Sequence, residues 1–157
     1  MNEENRSLEQ QIYRSAVRGL FSRLRSYYDY LYDKYGDEGL KLMSDMSHEY
    51  GLSVAHIAKN TLESNDIISV SSYLIKIFKI VNWGRNIIHV VQESPSQIII
   101  RVDECPLHFD KPEMCLAHTT MEKTVVEELN SDLLYRIGKY IPAHDVYCDH
   151  ILEVKKQ

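Results

Sequence analysis

The spacing of apolar positions divides the chain into two unlike parts. From Leu8 to about Tyr35, Ile12, Ala16, Leu20, Leu24, Tyr28 and Leu31 recur at helical spacing and predict one long helix. Gly36 ends it, and Asp37 can cap a second helix carrying Leu40, Met43 and Met46. Gly51 reads as the stop of that helix, and Ser53 as the N-cap of a third with Val54, Ile57, Ala58 and Leu62. Asn65-Asp66 starts a fourth, whose stripe is Val70, Tyr73, Leu74, Ile77, Phe78 and Val81. It closes at Asn82-Trp83-Gly84.

Beyond Gly84 the period changes from that of a helix to that of a strand. Ile88, Val90 and Gln92 alternate with Ile87, His89 and Val91, Ser94-Pro95-Ser96 turns, and Ile98, Ile100 and Val102 alternate with Ile99, Arg101 and Asp103. This is a β-hairpin. Asp110, with Pro112 in the first turn and Glu113 after it, opens a helix running to about Leu129. Leu133 to Ile141 alternates again, Pro142 to Asp145 turns, and Val146 to Val154 alternates back. Val146, Cys148, His150, Leu152 and Val154 share one face of this last strand, and its aliphatic members mark it as the buried one. The expected fold is α+β, with N-terminal helices packed on an antiparallel sheet and a strand-strand-helix-strand-strand C-terminal core. A chain of 157 residues suits a single domain, 1–157, with a helical part, 1–84, and a ββαββ part, 85–157.

Composition narrows the function. A net charge of -5 argues against nucleic acid as partner, and Arg14, Arg18, Arg23 and Arg25 lie at helical spacing as a solvated face. No apolar run reaches the ~20 residues that span a bilayer, so no membrane partner is expected. The start, Met1-Asn2-Glu3-Glu4-Asn5, has no apolar core of a signal peptide. With three cysteines read as reduced thiols, a cytoplasmic protein is expected. The band of Tyr13, Tyr27, Tyr28, Tyr30, Tyr32 and Tyr35 is either a packed helix face or a homodimer contact.

The chemistry concentrates between Cys105 and His150. All three cysteines and four of the seven histidines fall there, namely His108, His118, His144 and His150. Cys115, His118 and Glu122 are spaced i, i+3, i+7 and line one helical stripe beside the apolar Met114, Met121, Val125 and Leu129. A thiol beside an imidazole is a competent nucleophile. Alternatively, Cys105, Cys115 and Cys148 with His118 would hold a zinc or other divalent ion through three thiolates and an imidazole. The plain alternative to both is that the cysteines pack as small hydrophobes. His48 and His56 are lone histidines and read as surface or satisfied core residues.

Asp103-Glu104-Cys105-Pro106, then Glu113-Met114-Cys115, then His144-Asp145-Val146-Tyr147-Cys148-Asp149-His150 resemble the motif order of the L-2-amino-thiazoline-4-carboxylic acid hydrolases. That family is similar in turn to vinyl-reductase-type ligand-binding domains and to small subunits of vesicle-tethering complexes. The resemblance covers roughly the last third of the chain. His144 replaces the usual Gly before the turn Asp, and His150 the usual aromatic. Tyr140 and Ile137 stand where zinc-binding relatives carry Cys and Glu, which speaks against that type of zinc site. The resemblance implies a hydrolase or cyclase acting on a C–N or C–S bond of a sulfur- or nitrogen-containing heterocycle. Cys115 would be nucleophile or metal ligand, His118 its base, Cys105 and Cys148 flanking thiols, and Asp145 would orient His144 or the turn. His108, Glu122, His144, Cys148 and His150 would contact the substrate. The alternative is a non-catalytic module holding an apolar small molecule between helices and sheet.

Overall fold

A computed structural model describes residues 3–82 and 85–156, with side chains from residue 8 on. Met1, Asn2, Trp83 and Gly84, and with them part of the expected end of the fourth helix, lie outside the described residues. Helix α1 spans Glu3–Tyr35. Its inward stripe is Tyr13, Val17, Phe21, Leu24, Tyr28 and Leu31, while Ile12 and Leu20 stay 60% and 63% exposed. The expected stripe was out of phase by one residue over this half. Ile12/Tyr13, Ala16/Val17 and Leu20/Phe21 are apolar pairs, so periodicity alone does not choose the face. Packing against α3 does, with the Tyr13 hydroxyl donating to the Ile80 carbonyl at 3.1 Å.

Gly36 turns the chain with φ 56°, and its N–H donates to the Tyr32 carbonyl at 2.8 Å. A left-handed residue there suits Gly, which lacks the Cβ that would clash. Helix α2, Asp37–Lys59, then runs straight through Gly51 and Ser53, so the expected second and third helices are one. Gly51 is a contact point: a Cβ on it would lie 2.8 Å from Thr124 Cβ and 2.9 Å from the Met121 carbonyl oxygen. A glycine that reads as a stop signal is here what lets α2 approach α5. Helix α3, Ile67–Val81, begins as expected at Asp66, whose carboxylate accepts from the Ser69 N–H at 2.9 Å.

Strands β1 (Ile88–Glu93), β2 (Gln97–Val102), β3 (Leu133–Ile137) and β4 (Cys148–Val154) form one antiparallel sheet in the order β1-β2-β4-β3. Between β2 and β3 lie α4, Pro112–His118, and α5, Thr120–Leu129. The single helix expected from Pro112 to Leu129 is therefore broken at Thr119. There the Thr119 and Thr120 hydroxyls both donate back to the Leu116 carbonyl at 3.3 Å, a side-chain competition that bends helices. The N-cap of α4 is Lys111 rather than Asp110, and its side chain makes no cap bond. Strand β3 also stops before Ile141, because Ile141–Ala143 is a short 3₁₀ turn.

The sheet register lines up the face beneath the helices. Val102 pairs with Cys148, Ile100 with His150, and Ile98 with Leu152, while Ile137 and Tyr135 flank His150 and Leu152 on the other side. These join Val70, Leu74, Phe78, Val125 and Val126 in the main core. Of the expected buried face of β4, Cys148, His150 and Leu152 are buried, but Val146 is 85% and Val154 40% exposed. The strand begins only at Cys148, and burial is lost over its last two residues. On the opposite face Arg101 clamps Asp149 through two hydrogen bonds of 2.8 and 3.0 Å and lies 3.5 Å over the Tyr147 ring. Together these are N-terminal helices over a four-stranded antiparallel sheet. Among the described residues no helix is long and apolar enough to cross a membrane.

Candidate functional site

The bend at Thr119 sets the site. Cys115 and His118 from α4 and Glu122 from the first turn of α5 all face one cavity of about 140 Å³, which Cys105, Cys148 and His150 also line. The i, i+3, i+7 relation therefore survives the break in the helix. Apolar walls come from Phe21, Ile77, Phe78, Phe109 and Ile137. A larger cavity of about 620 Å³ adjoins it across Phe21, Ile77, Val81, His118 and Met121, which line both. It lies among α1, α2 and α3 and opens to solvent past Tyr27, Met46, Tyr50 and Ile57, all more than half exposed.

The polar groups at the inner end hold one another in place. The Tyr28 hydroxyl bonds Ser47 Oγ and His118 Nδ1, both at 3.1 Å, tying α1 to α2 and α4. The Tyr135 hydroxyl bonds His150 Nδ1 at 2.6 Å, and the Phe78 ring packs 4.7 Å from the His150 ring. Burial lowers both imidazoles to about 4, so each is neutral near neutral pH. Glu122 is only 5% exposed, and its Oε2 has no hydrogen-bond partner among the described residues. Burial raises its carboxyl to about 7.

The thiols are shifted in the opposite sense to an activated nucleophile. Burial first, then the neighbouring Cys148 and Cys105 and the Glu122 carboxyl, push Cys115 up to about 12. Burial likewise pushes Cys148 up to about 11, although its sulfur accepts the Ile141 N–H at 3.4 Å. A neutral His118 supplies no positive charge to offset this, so the imidazole-activated thiolate expected at Cys115 lacks its electrostatic cause. Among the described residues no three His, Cys, Asp or Glu side chains are grouped to hold a metal ion. The zinc arrangement of Cys105, Cys115, Cys148 and His118 is thus not formed, although all four line one cavity.

Three of the expected residues lie elsewhere. His108, with φ 51°, joins Arg14, Arg18 and Arg85 around a cleft of about 270 Å³ that meets the inner cavity at Phe21, Val81, Asn82 and Pro106, and its carbonyl accepts from Arg25 at 3.4 Å. His144, with φ 68°, is exposed where the 3₁₀ turn ends. The Asp145 carboxylate accepts the Tyr140 N–H at 3.0 Å, which fixes the turn rather than a histidine. Sequence reasoning missed Tyr135 and Ser47 as partners of the site. Tyr135 carried a usable signal, a polar-tipped aromatic on the apolar face of a strand; Ser47 carried none.

No family model and no curated relative matches the chain by sequence. Its structure is similar to a trafficking protein particle complex subunit 3 from Naegleria fowleri, covalently bound to palmitic acid. The TM-score is 0.64 and the identity 14%, over 87% of this chain and 95% of that one. It is also similar to the phenol-responsive sensory domain of the transcription activator PoxR, solved with phenol. There the TM-score is 0.63 and the identity 12%, over 85% of this chain and 74% of that one. Both pair with this chain over helices and sheet alike, so the likeness is one of fold: the α+β architecture shared by the trafficking-complex subunit and the sensory domain.

Proposed function

We propose that this chain is a binding module for a small apolar molecule, held between the α1–α3 layer and the sheet. The single observation that carries the reading is the pair of adjoining cavities, apolar over most of their walls and ending on a few convergent polar groups. Palmitic acid in one structural neighbour and phenol in the other are small ligands of those proteins, which supports a like use of this fold here. Hydrolysis of a heterocyclic C–N or C–S bond has less support. It asks for an activated thiolate, and Cys115 and Cys148 are held as thiols. Self-association through α1 is part of the proposal, because Leu8, Ile12 and Leu20 remain more than half exposed.

Titration with an environment-sensitive anilinonaphthalene dye, competed by phenol and by medium-chain fatty acids, tests the binding reading. Saturable binding that is lost on Ile77→Trp, which fills the shared wall of the two cavities, is expected. Unsaturable binding, or equal binding by the filled variant, would refute it. Sedimentation of the same samples reads the association state.

A further inference from the structure

We propose that Glu122 is the recognition point for an amine, so that the ligand of this cavity is an apolar molecule with a primary or secondary amino head. The inference rests on the binding-module reading and adds the class of ligand. Glu122 is a charged side chain inside the core, and its Oε2 is buried without a hydrogen-bond partner among the described residues. A carboxylate oxygen left unpaired in this way costs free energy that a donor from outside would recover. The groups around it do not supply that donor. His118 Nδ1 is engaged by Tyr28 and His150 Nδ1 by Tyr135, neither Nε2 reaches Glu122 Oε2, and the thiols of Cys115 and Cys148 are weak donors.

The charge of the lining points the same way. Glu122 lines the inner cavity without an ion pair, Glu104 at its rim is already paired with Arg85, and no Lys or Arg lines the cavity. A ligand carboxylate placed beside Glu122 would meet like charge, whereas an ammonium would meet an ion-pair partner with an unused oxygen. The aromatic rings of Phe21, Phe78 and Phe109 add favourable surroundings for a cation. From that head the tail runs past His118 and Met121 into the larger cavity, which is lined by Leu24, Leu31, Met43 and Val54. The arginine cleft around His108 adjoins the inner cavity across Phe21, Val81, Asn82 and Pro106, but its Arg14, Arg18 and Arg85 do not line the cavity that holds Glu122.

Calorimetric titration of the full chain with n-hexylamine, hexanol and hexanoate, at about pH 8 where an alkylamine keeps its proton, tests this. Hexylamine is expected to bind at least about ten-fold more tightly than hexanol, and hexanoate most weakly, as suits a charge-assisted hydrogen bond in a buried site. In Glu122→Gln the ratio of amine to alcohol affinity is expected to fall to about one. Equal affinities for amine and alcohol in the unaltered protein would overturn the amine inference while leaving the binding module standing, and this comparison needs no variant. An undiminished amine preference in Glu122→Gln would overturn it too. Failure of all three probes to bind would remove the binding-module reading along with it.

Discussion

Cysteine 115 shows how a side chain can sit where the sequence places it and still do something different. Its spacing to His118 and Glu122 was readable, and all three do meet at one cavity. The environment that decides the chemistry was not readable, because the burial of Cys115 and the approach of Cys148 depend on elements far away in the chain. Burial keeps His118 neutral and Cys115 protonated, which removes the charge that would have activated the thiol. Reactivity in the native protein should then follow access. Cys105, the partly exposed thiol, is expected to label first with iodoacetamide near neutral pH. Cys115 and Cys148 should label only at the rate of unfolding, and His118→Ala should not slow them. Mass mapping of the labelled peptides checks the order. Rapid labelling of Cys115 that depends on His118 would restore the nucleophile reading.

At the scale of elements, signals tied to backbone chemistry were legible and signals tied to packing were not. The Asp66 cap, the Ser94-Pro95-Ser96 turn and the left-handed Gly36 each follow from a local requirement, and each appears where expected. Gly51 and the phase of α1 depend on which neighbour arrives. Replacement of Gly51 separates the two readings of that residue. Were Gly51 a helix end or a plain mid-helix glycine, Ala would be neutral or would stabilise by about 0.5–1 kcal/mol. As a contact glycine, its Cβ meets Thr124 and the Met121 carbonyl, and the second is backbone that a side-chain trim cannot move. Gly51→Ala is expected to destabilise by about 1–3 kcal/mol, and Thr124→Ser should not rescue it. Urea unfolding of the single and double variants measures both quantities.

At the scale of the whole molecule, the sheet order sets β4 between β2 and β3, and that placement brings His150 against Phe78 of α3 and Tyr135 of β3. Local periodicity carries no record of it, since strands pair across any intervening length. The same assembly buries three titratable groups together, and their protons make stability depend on pH. His118 and His150 fall from 6.5 to about 4 on folding, so between those values the unfolded chain binds more protons and acid destabilises. Glu122 rises from 4.5 to about 7, so between those values the native state binds more protons and base destabilises. Cys115, Cys148 and Tyr135, which also face the cluster, are shifted upward and stay protonated across this range.

Where the two windows overlap, two histidines oppose one carboxyl, and stability should climb with pH. Above the ordinary histidine value Glu122 acts alone and the slope should reverse. The histidine contribution is on the order of 3 kcal/mol for His150 at full extent and smaller for His118, whose ring is half-buried. Asp66 and Glu153 are held below the usual carboxylate range by hydrogen bonds to Ser64 and Arg136, and they lose a little stability only in stronger acid. Urea midpoints at several pH values should therefore pass through a maximum near the ordinary histidine pKa. Glu122→Gln should remove the decline on the alkaline side and steepen the climb from the acid side. A profile with no maximum, or one that Glu122→Gln leaves unchanged, would mean that folding does not raise the affinity of this carboxyl for its proton as its burial requires.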